Sequence, residues 1–152
     1  MDLNSLSHTT PRPVADLVES ARELYDAAID AQAASYAPYS HYPVGAAVRT
    51  ASGRVFTGCN VENASYPIGT CAEAGAVAAM ALAGERVIVE VVTVTDGDVP
   101  GTPCGGCRQR LREFAASTDV PVYATSADGL AIVTSIGRLL PDSFGPEFLE
   151  VE

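Results

Sequence analysis

The segment from Val87 to Thr95 reads VIVEVVTVT and consists almost entirely of β-branched residues. It lacks the polar–apolar alternation typical of a strand with one face in water, so it predicts an internal strand covered on both faces. Sheets are covered in this way where helices pack against each side of them. The segment therefore predicts an α/β domain built around a central sheet.

Segments on both sides of this strand supply the other predicted elements. Apolar residues at helical spacing predict a first helix from Val14 to about Ala34, followed by a hairpin of strands over 44–50 and 54–58. The remaining predicted elements are helices over 72–83, 108–116 and 135–140 and a strand over 120–125. The helix over 72–83 is rich in Ala, Val, Met and Leu, which predicts burial on most of its sides. The order α-β-β-α-β-α-β-α predicts one sheet with helices on its faces.

The chain of 152 residues has the length of one domain, and no repeat or low-complexity linker divides it. Residues 1–12 are polar and are expected to form a flexible lead, followed by a single domain over 13–152. The N-terminal segment lacks both the basic region and the apolar region that a secretory signal has. No apolar stretch reaches the ~18 residues that a membrane-spanning helix needs. We therefore expect a soluble, cytoplasmic protein without a membrane partner.

Charged residues exclude several function classes. Nine basic residues, all arginine, are outnumbered by nineteen acidic ones, giving a net charge of −10. This balance argues against binding of polymeric DNA or RNA, because such binding depends on neutralised phosphates. The absence of lysine excludes a Schiff base and a P-loop. The only histidines, His8 and His41, argue against a His-based triad or a multi-His metal site.

Three of the four cysteines fall into two motifs, Cys71-Ala72-Glu73 and Pro103-Cys104-Gly105-Gly106-Cys107. Each motif lies at the predicted N-terminus of a helix, where free N–H groups and the helix dipole favour thiolates. Three neighbouring thiolates would repel one another without a cation between them. Zinc accepts sulfur ligands, and three protein ligands leave its fourth position open for water. Glu73 would lie close enough to that water to move protons without being a ligand.

Other interpretations of the same cysteines stay open at this point. Cys104 and Cys107 alone would also suit a redox pair, and Cys59 could complete a closed, structural four-cysteine zinc site. Cys59 has no partner at metal-ligand spacing, so packing is its preferred role. Glu73 follows Cys71 where a structural site would have a second C-x-x-C motif, which favours a catalytic site over a structural one.

Five segments, in order, resemble a known family: PYSHYPVGAAV, GCNVENASY, TCAE, PCGGCRQ and LLPDSF. They are similar to the small homotetrameric cytidine deaminases, members of the zinc nucleoside deaminases. The resemblance implies a three-layer αβα sandwich with a mixed sheet of about five strands and one zinc ion per chain. It also implies hydrolytic deamination of cytidine and 2′-deoxycytidine in pyrimidine salvage, by a homotetramer with shared active sites.

The resemblance also implies residue roles. Cys71, Cys104 and Cys107 would be the zinc ligands, and Glu73 would carry protons between the water attacking C4 and the pyrimidine ring. The implied substrate-binding residues are Tyr42, Asn60, Glu62, Ala64, Tyr66, Ala72 and Phe144. Among these, Asn60 and Glu62 would hold the ribose. The aromatic ring of Phe144 would stack on the substrate base bound in the active site of a neighbouring subunit.

Two positions depart from the family pattern. Ala74 stands where many tetrameric members have an arginine that offsets the thiolate charge, which leaves Arg108 as the candidate for charge compensation. Tyr42 stands where the family typically has phenylalanine. A related blasticidin S deaminase also tolerates a residue other than arginine after the glutamate, so that activity is an alternative. The intact NVEN segment favours ordinary ribose recognition and therefore cytidine.

Overall fold

The structure is a computed structural model that describes residues 10–149. Its strands are β1 Arg12–Pro13, β2 Val44–Thr50, β3 Val55–Cys59, β4 Ile88–Thr95, β5 Pro121–Ser126 and β6 Leu130–Ser135. Its helices are α1 Glu19–Gln32, α2 Ala72–Leu82, α3 Gly105–Phe114 and α4 Ile136–Leu139. No helix between residues 10 and 149 has both the length and the apolar character needed to cross a membrane.

The strands form one mixed sheet in the order β1-β6-β5-β4-β2-β3. Strands β4 and β5 are parallel, and the other neighbouring pairs are antiparallel. Alternate residues of β4 enter two separate cores: Val91 packs with residues of α2 and α3, whereas Val92 and Val94 pack with residues of α1. These contacts confirm the internal strand and the three-layer αβα architecture. The sheet has six strands rather than about five.

Two predicted helices begin at other residues than expected, and the strands β1 and β6 were not predicted. The first helix begins at Glu19 rather than Val14, because Val14–Asp16 form a separate 3-10 turn and the extended backbone of Leu17 and Val18 interrupts the helix. In the sheet, Arg12 of β1 pairs with Ala131 of β6. Residues 1–9 of the predicted lead lie outside the described residues. Helix α3 begins at Gly105, before the predicted start at residue 108.

Helix α2 is covered on most sides, as predicted: of its 11 residues in the structure, only Ala78 and Leu82 are exposed. Ala76 and Met80 are fully buried against the sheet, whereas the side chain of Leu82 is 91% exposed. The helix lies in an outer layer of the sandwich, and its exposed surface is largest at its C-terminal end. The apolar composition of this segment therefore predicted its burial correctly.

Gly58 of β3 allows α2 to lie directly against the sheet. A Cβ atom at Gly58 would lie 2.3 Å from the Ala72 carbonyl oxygen and 2.4 Å from the Ala76 nitrogen. Both contacts involve backbone atoms, which cannot move aside as a flexible side chain can. The glycine therefore fixes the distance between β3 and the start of α2, where Cys71 and Glu73 lie.

We expect Gly58→Ala to lower the free energy of unfolding by about 3 kcal/mol or more, at the upper end of overpacking penalties. Gly75→Ala is the matched control, since a Cβ there would lie 3.4 Å from the Gly58 Cα, an ordinary contact. Urea denaturation of both variants measures the difference. Equal stabilities for the two variants would contradict this account of the contact.

Candidate active site and metal centre

The N-termini of α2 and α3 bring three cysteines together. Cys71 is the N-cap of α2, Cys104 is the N-cap of α3, and Cys107 lies in the first turn of α3. Their sulfur atoms all lie within 4.8 Å of one another. The partial positive charge of a helix N-terminus favours thiolates at such positions. The structure thus brings together the three cysteines that were predicted as metal ligands.

The spacing of these sulfur atoms fits a zinc ion. Tetrahedral Zn–S bonds of about 2.3 Å place sulfur atoms about 3.8 Å apart, and Cys71 Sγ and Cys104 Sγ are separated by 3.9 Å. Among the described residues, this is the one group of His, Cys, Asp or Glu side chains with metal-site spacing. Three sulfur ligands would leave one tetrahedral position open.

Cys59, the last residue of β3, does not belong to this cluster. Its thiol donates to the Ala34 carbonyl oxygen at 3.5 Å, and its side chain is partly buried. This contact agrees with the predicted packing role. A closed site with four cysteine ligands is therefore not favoured.

Burial and local charge act differently on the three thiols. Burial is the main cause that raises the pKa of Cys71 and of Cys107, and the nearby charge of Glu73 raises both further. The backbone amide of Cys107 is the main cause that lowers the pKa of Cys104. A cation between the sulfur atoms would favour thiolates at all three positions.

Glu73 lies in the first turn of α2, beside the cluster, with only 5% of its surface exposed. Its Oε2 accepts a hydrogen bond from Cys107 Sγ at 3.3 Å. The carboxylate is therefore held next to the sulfur atoms, in the arrangement expected of a group that moves protons to and from a molecule bound there.

A cavity of about 220 Å³ opens beside Glu73. Among the residues that line it are Tyr42, Asn60, Cys71, Ala72, Glu73 and Cys104. Asn60 has a structural role at its rim, since its amide donates to the Tyr42 carbonyl (2.9 Å) and accepts from the Val44 N–H (2.8 Å). Three of the predicted substrate-binding residues thus line the cavity that contains the predicted catalytic glutamate.

Glu62 and Tyr66 line a second cavity, of about 240 Å³, on the loop that follows β3. The Glu62 carboxylate accepts hydrogen bonds from the Tyr39 N–H (2.9 Å) and from the hydroxyl of Ser40. The bond from Ser40 is the main cause that lowers the pKa of Glu62. Ala64, on the same loop, is exposed. In the isolated chain these predicted substrate residues therefore lie outside the cavity beside the cysteines.

Phe144 lies on the C-terminal segment and is 58% exposed, with its ring stacked on Phe148 at 5.4 Å. Helix α3 holds this segment, because Gln109 donates to the Phe144 carbonyl (2.9 Å) and Arg112 donates to the Ser143 hydroxyl (3.0 Å). The exposed ring pair is thus fixed to the helix that carries Cys104 and Cys107.

Arg108 directs its guanidinium group to oxygen atoms around the second cysteine motif. It donates to the carbonyls of Pro103 (2.7 Å) and Leu139 (2.8 Å) and to the Thr102 hydroxyl (3.1 Å). These bonds secure the loop that ends at Cys104. Charge compensation by Arg108 remains a prediction.

Several residues of the two cavities were missed by the sequence analysis. Among them are Ser40 in the second cavity and Thr93, Thr95, Gly101 and Thr102 in the cavity beside Glu73. Thr93 and Thr95 carried a signal, because hydroxyls at alternate positions of a strand share one face. The others lie on loops whose path depends on contacts distant in sequence.

Most of the chain matches the model of a single protein family. Residues 18–124 match the model of the cytidine and deoxycytidylate deaminase zinc-binding region. That range includes all three clustered cysteines and Glu73, as well as the loop from Asn60 to Tyr66.

Individual relatives agree with this match. A cytidine deaminase from Sporosarcina psychrophila is 39% identical over 115 residues, which span 76% of this chain and 84% of the relative. A cytidine deaminase from Mycobacterium tuberculosis is 40% identical over 128 residues, 82% of this chain and 90% of the relative. The crystal structure of cytidine deaminase from Burkholderia pseudomallei superposes with a TM-score of 0.77 at 42% identity, covering 84% of this chain and 100% of that one.

Proposed function

Because the chain belongs to the zinc-dependent cytidine and deoxycytidylate deaminase family, we propose that it hydrolyses cytidine and 2′-deoxycytidine to uridine, 2′-deoxyuridine and ammonia. The observation that carries the proposal is the Cys71–Cys104–Cys107 cluster with the Glu73 carboxylate against it. The comparisons favour neither the blasticidin S alternative nor a structural zinc protein, since the similar proteins described above are cytidine deaminases.

The three cysteines would hold zinc, which lowers the pKa of a bound water molecule towards neutrality. Glu73 would accept a proton from the attacking water and deliver it to the ring nitrogen next to C4. It would then return a proton to the amino group, which leaves as ammonia. Its burial supports this role, because a carboxylate shielded from water exchanges protons with its bound partner rather than with solvent.

Substrate residues are assigned by position. Tyr42, Asn60 and Ala72 line the cavity beside Glu73 and are proposed to surround the nucleoside. Glu62 is proposed to reach the ribose, with Ser40 holding its carboxylate in place and ionised. This ribose role is supported by the pattern of the NVEN segment rather than by the position of Glu62 in the isolated chain.

We also propose a homotetramer in which neighbouring chains complete each site. The support is the resemblance to tetrameric deaminases, together with apolar side chains that a neighbouring chain could cover: Tyr66 is 74% exposed, Phe144 is 58% exposed and Leu82 is 91% exposed. We expect light scattering to give the mass of four chains. A monomeric mass for a fully active enzyme would contradict shared sites.

A cytoplasmic location and a role in pyrimidine salvage complete the proposal. All four cysteines are free thiols, which suits a reducing compartment. The products of the reaction are nucleosides that can re-enter uracil nucleotide synthesis.

The proposed reaction is tested by comparing kcat/KM for cytidine, 2′-deoxycytidine and blasticidin S in the zinc-loaded protein. We expect turnover of both natural nucleosides and a much lower value for blasticidin S. A clear preference for blasticidin S would overturn the assignment of substrate while leaving the deaminase chemistry intact.

A further inference from the structure

The face of β4 that points towards α2 changes its chemistry along the strand. Val91 lies in the apolar core beneath α2, and the next two residues on the same face are Thr93 and Thr95. Both threonines line the cavity beside Glu73. Ala46 of β2 lies opposite Thr93 in the sheet. The apolar face thus becomes a hydroxyl-bearing face at the cavity.

The hydroxyl groups in this region differ in their hydrogen bonding. Thr95 Oγ1 accepts from the Gly101 N–H (2.9 Å) and contacts the Thr125 carbonyl at 3.2 Å, to which it donates. Thr125 Oγ1 donates to the Thr93 carbonyl at 2.7 Å. Thr93 Oγ1 is the one buried side-chain oxygen or nitrogen in residues 10–149 without a partner, and its residue is 1% exposed. Buried polar atoms are rarely left unpaired, and an unpaired one in a cavity indicates a ligand or water.

We propose that Thr93 Oγ1 forms a hydrogen bond with the pyrimidine base of the bound nucleoside. The inference rests on the proposed function, since it assigns the base to the cavity that Thr93 and Glu73 share. A hydroxyl can rotate to accept or to donate, so it can pair with an amino group of cytosine as well as with a carbonyl group of uracil. Thr93 is then a substrate-contacting residue for both the nucleoside that enters and the nucleoside that leaves.

Three substitutions separate the hydroxyl from the rest of the side chain. Thr93→Val replaces the hydroxyl with a methyl group, Thr93→Ser keeps the hydroxyl, and Thr93→Ala removes both the hydroxyl and the methyl group. Thr50→Val is the matched control, because it removes a buried hydroxyl whose partners, Ser52 and Arg54, lie outside the cavity. The measurements are kcat and KM for cytidine, the inhibition constant of uridine and the thermal midpoint of each zinc-loaded protein.

We expect Thr93→Val to lower kcat/KM and to weaken uridine inhibition, each by about three- to tenfold, the usual effect of one hydrogen bond. Its thermal midpoint should not fall, because the hydroxyl has no partner in the free protein. Thr93→Ser should keep kcat/KM within about twofold of the wild-type value, because serine retains the hydroxyl that forms the hydrogen bond. Thr50→Val should lower the thermal midpoint and leave kcat/KM unchanged.

Unchanged kcat/KM and uridine inhibition in Thr93→Val would overturn the inference. If Thr93→Val does not fold, the pair Thr93→Ser and Thr93→Ala gives the same test, because these two variants differ only in the hydroxyl. If the wild-type protein does not turn over cytidine, the proposed function fails. Calorimetric affinities of the same variants for cytidine and uridine then test the Thr93 contact, and equal affinities would overturn it.

Discussion

Glu73→Gln is expected to lower kcat for cytidine by about 10²–10⁴-fold, the range over which a positioned general acid–base group contributes. Glutamine keeps the size of the side chain but cannot accept and return a proton. The carboxylate lies beside the cysteine cluster and is not one of the three clustered ligands. The variant should therefore still bind one zinc ion per chain, as measured by metal analysis alongside the steady-state rates.

The control for Glu73→Gln is Glu113→Gln, at an exposed carboxylate on α3 away from the cavity. This variant should keep kcat within about twofold, because surface substitutions away from a site have small effects. If Glu73→Gln retained kcat within tenfold while holding zinc, another group would have to move the protons. The account of the site would then be wrong.

Cys107→Ser is expected to abolish both zinc retention and turnover. Cys107 is buried and supplies one of only three clustered ligands, and a serine hydroxyl does not replace a thiolate. Changes outside the ligand shell typically weaken metal affinity by about 10–100-fold, and loss of a ligand should exceed that. The measurement is zinc content per chain after dialysis, together with kcat/KM for cytidine.

Cys59→Ser is the matched control for Cys107→Ser, because it makes the same substitution at a thiol outside the cluster. It should keep one zinc ion per chain and most of its activity. Loss of zinc from Cys59→Ser would instead support a closed site with four cysteine ligands. A Cys107→Ser variant that still held a full complement of zinc would place the metal elsewhere.

The central parts of the fold and site could be predicted because their signals are local. A run of β-branched residues identified β4, since few other elements have such a composition. Both cysteine motifs were predicted to lie at helix N-termini, and Cys71 and Cys104 are the N-caps of α2 and α3 in the structure. The short spacing from Cys71 to Glu73 then placed the carboxylate beside the cluster, because the first turn of a helix has little freedom.

The rest depended on contacts distant in sequence. Strand β6 was missed, although Asp128-Gly129 before an apolar segment is a known hairpin signal, and Gly129 has a φ of +84° there. The start of α1 was displaced because Leu17 and Val18 are extended and separate a short 3-10 turn from the helix. The binding of the Glu62 carboxylate by Ser40 requires two loops to meet, and local sequence does not encode that meeting.

The most direct test is the ultraviolet spectrum of cytidine incubated with the purified, zinc-loaded protein, with Glu73→Ala as the paired sample. The account predicts conversion to the spectrum of uridine by the wild-type protein and no conversion above background by the variant. A cytidine spectrum that stays unchanged with the wild-type protein, despite one zinc ion per chain, would contradict the proposed reaction.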